Sequence, residues 1–112
     1  MRGGYVPEMG DCVWLDFPEK SGHEQKGRRA ALVLSEKDFN ATGMMFCCPL
    51  TTQVKGYPFE VALPAKCQAK GVVLASHLQS VDWRSRRADY FCKIPRQALE
   101  ETMDKIKAIM SI

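Results

Sequence analysis

The chain has 112 residues, 46% hydrophobic and 26% charged. That composition fits one soluble globular domain over residues 1–112 and excludes two separate cores. Sixteen Lys and Arg against thirteen Asp and Glu give a formal net charge of +3, which permits an anionic partner without requiring one. The longest apolar run, Met44 to Leu50, is too short to span a bilayer, and the first residues carry no apolar signal core, so the cytoplasm is the expected location and no membrane partner is expected.

In chain order, Tyr5 to Asp11 contains Pro7 and Gly10 and reads as an extended lead-in with a turn. Cys12 to Phe17 is rich in β-formers and reads as the first strand, ended by Pro18. A polar loop from Glu19 to Arg28 follows, then a second strand from Arg29 to Leu34. Ser35 is an N-cap type of residue and opens a single helical turn through Asp38. Met44 to Pro49 is the third strand, and Leu50 to Pro58 a second polar loop. Phe59 to Leu63 alternates as a strand, Pro64 to Lys70 is a loop, and strands follow at Gly71–Ala75, His77–Asp82 and Asp89–Ile94. After Pro95, Leu99, Met103, Ile106 and Met110 recur with the period of an amphipathic helix. Short strands with one terminal helix predict a mainly β fold, a small, partly open barrel with the helix packed against it. The apolar helix face at Leu99, Met103 and Ile106, together with exposed strand edges, is a candidate dimer surface.

The five cysteines, Cys12, Cys47, Cys48, Cys67 and Cys92, are odd in number and show no Cys-x-x-Cys spacing. With His23 and His77 as the histidines, no zinc-site spacing appears. They read as small buried hydrophobes in a reducing compartment, with Cys47 and Cys48 on opposite faces of one strand.

Three patches carry possible chemistry. The first loop gathers His23, Glu24, Lys26, Arg28 and Arg29 where polar chain becomes apolar core. Arg29 stands at the junction, where its planar fork of donors can be held for a phosphate, while Glu24 and His23 can accept or relay a proton. The second loop opens with Thr51, Thr52 and Gln53, and its hydroxyls suit phosphate oxygens. If the second and third strands are antiparallel neighbours, Arg29 and Thr52 converge. The third patch, Trp83-Arg84-Ser85-Arg86-Arg87, has two readings. The indole is a stacking platform with arginines on phosphates, or it is buried and the arginines are solvated.

These residues resemble the MazF/PemK family of toxin endoribonucleases. The likeness is carried by Tyr5-Val6-Pro7, Met9-Gly10-Asp11, Trp14, Asp16-Phe17, Gly22, Glu24-Gln25, Gly27 and Arg29. It continues in Leu32 to Ser35, Thr51-Thr52-Gln53, Trp83-Arg84 with Arg86 and, as the most specific block, Lys55 to Val61. The resemblance implies an SH3-like barrel of the MazF/PemK/CcdB type. It also implies a homodimer that cuts single-stranded RNA, chiefly mRNA, at a short ACA-like motif without metal or cofactor, leaving a 2′,3′-cyclic phosphate and a 5′-hydroxyl. The implied partner is a MazE-like antitoxin whose acidic C-terminal tail lies along the RNA groove.

The catalytic roles it implies fall on Arg29 and Thr52, with Glu24 in support. RNA contacts are then expected from His23, Gln25, Lys26 and Arg28 in the first loop and from Thr51, Gln53 and Lys55 in the second. His77, Arg84 and Arg86 are expected to add to them. Two departures stand out. Ala30 follows the arginine where many relatives have Pro, and Ser76-His77 stands where relatives often carry Asp-Gln. Ser76 cannot act as the base proposed for an aspartate in the Kid/PemK branch. The alternatives are a CcdB-like gyrase poison, which uses a Trp near the terminus that Ala108 to Ile112 lacks, and a barrel that binds nucleic acid without cutting it.

Overall fold

The computed structural model describes residues 4–17 and 27–112. Its elements run β1 (Asp11–Phe17), β2 (Gly27–Val33), α1 (Lys37–Asn40), β3 (Met44–Thr51), β4 (Glu60–Ala62), β5 (Val72–Leu74), a 3-10 turn (Ala75–His77), β6 (Gln79–Asp82), β7 (Asp89–Lys93) and α2 (Arg96–Met110). All strand pairings are antiparallel, in the order β4-β5-β3-β2-β1-β7, with β6 also on β3. The mainly β fold with a C-terminal helix is the one the sequence predicts.

β3 is the spine. It faces β2 through Ala31–Pro49 and Val33–Cys47. Its first half pairs with β6 and its last two residues with β5. Pro49 falls in the gap between those two partners, where the strand changes neighbours and a missing N–H is tolerated. Cys48 bridges the same gap by donating to the carbonyl of Ala75 at 3.7 Å.

Both faces of the sheet are buried, and period-2 alternation divides the side chains between two cores. Val13, Leu15, Ala31, Val33, Met45 and Cys47 enter one, together with Val81 and Trp83. Cys12, Leu32, Cys48 and Leu50 enter the other, which α2 covers with Ala98 and Ile106. Cys47 and Cys48 thus point to opposite cores, and all five thiols are buried and free. The α2 stripe is Ala98, Thr102 and Ile106, flanked by half-buried Leu99 and Met103, while Met110 is 54% exposed. Of the helix face considered above as a dimer surface, Ile106 is buried and Leu99 and Met103 are half-buried against the protein's own core.

Several motif residues prove to be fasteners. The buried carboxylate of Asp11 accepts from the Tyr5 hydroxyl (2.6 Å), the Glu8 amide (3.0 Å) and Lys93 Nζ (2.6 Å), tying the lead-in to β7. Burial, and then the bond to Asp11, raise the Tyr5 pKa well above its ordinary value. Asn40 is fully buried and donates to the carbonyls of Pro7 and Ser35 at 2.8 and 2.9 Å. The Ser35 hydroxyl bonds Asn40 and the Phe46 amide instead of capping α1, whose N-cap is Glu36. Trp83 is 5% exposed and donates its indole N–H to the Asn40 carbonyl at 2.7 Å. Of its two readings the buried one holds, because a ring in the core cannot stack on a base.

Burial pushes the thiols of Cys47 and Cys48 up to about 12, from an ordinary value of 9.0. Their pKa is raised on folding, so the stability they contribute is complete below pH 9 and is lost as pH rises through about 12. Urea midpoints are expected to hold steady to about pH 8.5 and then to decline. The Cys47→Val, Cys48→Val double variant should decline less steeply in the same titration.

Candidate functional site

An open cleft of about 780 Å³ lies where the start of β2 meets the end of β3. The two strands are antiparallel, so their opposite ends in sequence are neighbours in space. Arg29 from the first and Thr51, Thr52 and Gln53 from the second line the same cleft. The convergence of Arg29 with Thr52 expected from topology is thus present. Lys70 adds a second cation, and among the described residues the lining contains no carboxylate. The cleft is electropositive and suited to an anion.

Arg29 is half-buried in β2, opposite Leu15 of β1. Its guanidinium carbon lies 5.4 Å from the Phe17 ring centroid. Arg86 sits at 5.4 Å from the same ring, so two cations share one aromatic. Among the described residues no carboxylate pairs with Arg29, which leaves its donors for a ligand. Thr51 Oγ1 accepts the Gln53 amide at 3.1 Å, and the Thr52 carbonyl accepts the Val54 amide at 3.1 Å. The chain therefore turns sharply at Thr52 and leaves its exposed side chain facing the cleft. Behind it, the Glu60 carboxylate gathers the amides of Lys55 and Gly56 at 3.1 and 2.9 Å. That bond gives the Lys55–Val61 block a physical purpose, since it fixes the loop that follows Thr52.

Arg28 behaves differently from Arg29. β2 begins at Gly27, earlier than the apolar run indicates, so Arg28 is a strand residue opposite Asp16. Its guanidinium pairs with Asp16 (2.6 Å) and Asp89 (2.9 Å) and donates to the carbonyls of Trp14 (3.1 Å) and Arg87 (2.6 Å). The hydrogen bond from Arg28 holds the Asp16 carboxyl below its ordinary value. Arg28 is accordingly a clamp joining β1, β2 and the 84–88 turn, with its donors committed to the protein.

Other candidates stand apart from the cleft. Lys55 is exposed on its loop, and His77 is exposed on the 3-10 turn rather than in a strand. Arg84 stacks on Trp83 at 4.6 Å and donates to the Ala41 carbonyl at 3.3 Å. His23, Glu24, Gln25 and Lys26 lie outside the described residues.

The cleft also contains residues the sequence reading did not assign: Trp14, Phe91, Gln68 and Lys70. Trp14 and Phe91 pack with ring centroids 4.9 Å apart, and Trp14 keeps 36% of its surface exposed. Trp14 had a signal. It stands between Val13 and Leu15, which share one core, so alternation turns it to the other side. Gln68 and Lys70 had none, because their loop has no pattern of its own.

Residues 8–110 match the family described as PemK-like, MazF-like toxin of type II toxin-antitoxin system. The chain is 44% identical over 111 residues to the endoribonuclease toxin MazF of Escherichia coli K12, covering 98% of this chain and 99% of that one. It is 32% identical to the endoribonuclease toxin ChpB of the same organism, covering 92% and 93%. Among solved structures, a MazE-MazF crystal structure from Deinococcus radiodurans superimposes with a TM-score of 0.90 at 50% identity, covering 96% of this chain and 98% of that one. With a sheet of this topology and a match running almost from end to end, the chain belongs to the PemK/MazF family of toxins from type II toxin–antitoxin systems, and its enzyme class is endoribonuclease.

Proposed function

We propose that this endoribonuclease toxin cuts single-stranded RNA, chiefly mRNA, at a short ACA-like motif, with Arg29 and Thr52 at the reacting phosphate. The observation that carries the reading is the meeting of Arg29 and Thr52 in one cleft whose described lining holds no carboxylate, beside the packed rings of Trp14 and Phe91. The ribose 2′-oxygen attacks the adjacent phosphorus. The bond to the 5′-oxygen of the next nucleotide breaks and that oxygen takes up a proton from solvent, leaving a 2′,3′-cyclic phosphate and a 5′-hydroxyl. Negative charge gathers on the phosphoryl oxygens as the 2′-oxygen adds. A preset Arg29 guanidinium and the Thr52 hydroxyl stabilise that charge more than they stabilise the ground state, and one such donor contributes about 3–4 kcal/mol. Trp14 and Phe91 offer a face for a flanking base, and Arg86, which shares the Phe17 ring with Arg29, adds positive charge nearby.

Arginine stays protonated in proteins, so Arg29 is not the group that takes the 2′-proton. Glu24 is our candidate base. The Glu24→Gln variant is expected to lose the ascending acid limb of the single-turnover pH–rate profile, with a rate fall of about 10²–10⁴-fold. An unchanged profile removes Glu24 from that role.

The reading takes no metal or cofactor. Incubation with a synthetic RNA oligomer carrying ACA, in EDTA, should give cyclic-phosphate and 5′-hydroxyl ends. Absence of cleavage across several sequence contexts defeats it in favour of a non-cleaving binder. A MazE-like antitoxin, of the kind present in the Deinococcus radiodurans complex, would inhibit by laying an acidic C-terminal tail in the same electropositive cleft. A homodimer completes the reading, with exposed strand edges and the α2 face at Leu99 and Met103 as its candidate surfaces. The CcdB-like alternative is not favoured, since the curated relatives above are endoribonucleases.

A further inference from the structure

The segment between β4 and β5 is built to present two side chains. The Leu63 amide donates to the Gly71 carbonyl at 3.1 Å and closes it into a loop, and the Cys67 amide donates to the Pro64 carbonyl at 3.0 Å to form its turn. From there the side chains alternate. Cys67 (7% exposed) and Ala69 (2%) go inward, Cys67 into the core that also holds Cys12 and Cys92. Gln68 and Lys70 stay exposed, and both line the cleft with Arg29 and Thr52. Gly71 then seats the end of the loop directly on the Thr51–Thr52 backbone. Two buried anchors and a backbone seat therefore fix Gln68 and Lys70 relative to Thr52.

Resting on the endoribonuclease reading above, we propose that Gln68 and Lys70 form the substrate-positioning wall of the cleft. Lys70 takes an RNA backbone phosphate beside the scissile one, and Gln68 hydrogen-bonds a base edge and helps set the cut motif. Lys70 Nζ donates to the Ala65 carbonyl at 2.7 Å, a bond that orients the ammonium and uses one of its three donors. A side-chain amide offers both a donor and an acceptor, as reading a base edge requires.

The test uses full-length protein with two ligands, an RNA oligomer for cleavage and its uncleavable 2′-deoxy analogue for binding. Lys70→Ala should raise KM and the analogue's Kd about tenfold with kcat little changed. It should also lower the slope of log Kd against log salt by about 0.7, the loss of one single-strand phosphate contact. Lys70→Arg should restore both. Gln68→Ala should relax discrimination about tenfold at one position of a cleavage-site map over a long RNA. Wild-type Kd, salt slope and cleavage map in Lys70→Ala and Gln68→Ala would overturn the proposal. Cleavage by the wild-type protein in the same experiment separates that outcome from failure of the endoribonuclease reading itself. Melting temperatures of the variants identify any loss that is merely structural.

Discussion

Arg29→Ala should cut the single-turnover rate of RNA cleavage by about 10²–10³-fold or more, with a melting temperature close to that of the parent. The two halves of that expectation rest on different observations. The rate loss follows from the position of Arg29 in a cleft whose described lining adds Lys70 as a cation and holds no carboxylate. The preserved fold follows from what the side chain lacks: among the described residues it has no ion-pair partner, and its neighbour Arg28 does the clamping. Arg29→Lys should recover little, since an ammonium cannot span two phosphoryl oxygens as the guanidinium fork does. In cells the alanine variant should relieve growth arrest. A cleavage rate near that of the parent would remove Arg29 from the reacting centre.

Gly71→Ala should damage stability and activity together, although position 71 bears no functional group. Gly71 has φ +95, a conformation that side chains resist, and an added Cβ would sit 2.1 Å from the Thr51 carbonyl oxygen and 3.0 Å from the Thr52 Cα. Neither neighbour is a flexible side-chain tip, so backbone must move. We expect a stability loss of about 2–4 kcal/mol in urea titrations. Single-turnover cleavage should also fall, measured where the variant remains folded, because the atoms that yield are those that aim Thr52. Parental rate and midpoint in this variant would show that the Thr52 turn is not set by its contact with the β5 lead-in.

The sequence made the strands, the helix and the pairing of Arg29 with Thr52 legible, because apolar runs and periodicities mark elements and antiparallel order then brings chain ends together. Several details were not legible, each for a physical reason. Arg28 and Arg29 are adjacent and chemically alike, and only strand alternation with Asp16 and Asp89 nearby separates a clamp from a guanidinium with no ion-pair partner among the described residues. Trp83 could be an exposed or a buried ring until Asn40 supplied a carbonyl for its N–H. The helix period pointed to Met110, but the core under α2 ends at Ile106. Gln68 and Lys70 are placed by Cys67, Ala69 and Gly71, and nothing in the local pattern reveals what those anchors touch. Many of the residues that carried the family resemblance hold the barrel together, with Tyr5, Asp11 and Glu60 as instances.

The pairing of β1 with β7 has a consequence for the timing of activity during synthesis. β1 lies between β2 and a strand made some eighty residues later, with Asp11 opposite Lys93 and Cys12 opposite Cys92. Phe91, on that late strand, is also part of the cleft. A nascent chain that has reached β6 has Arg29 and Thr52 but neither Phe91 nor the partner that fixes the outer edge of β1, and such non-local pairings form late. Phe91 and the outer support of β1 arrive only after β7 has left the ribosome, so the cleft is assembled from the two ends of the chain and is the last part of the sheet to be completed.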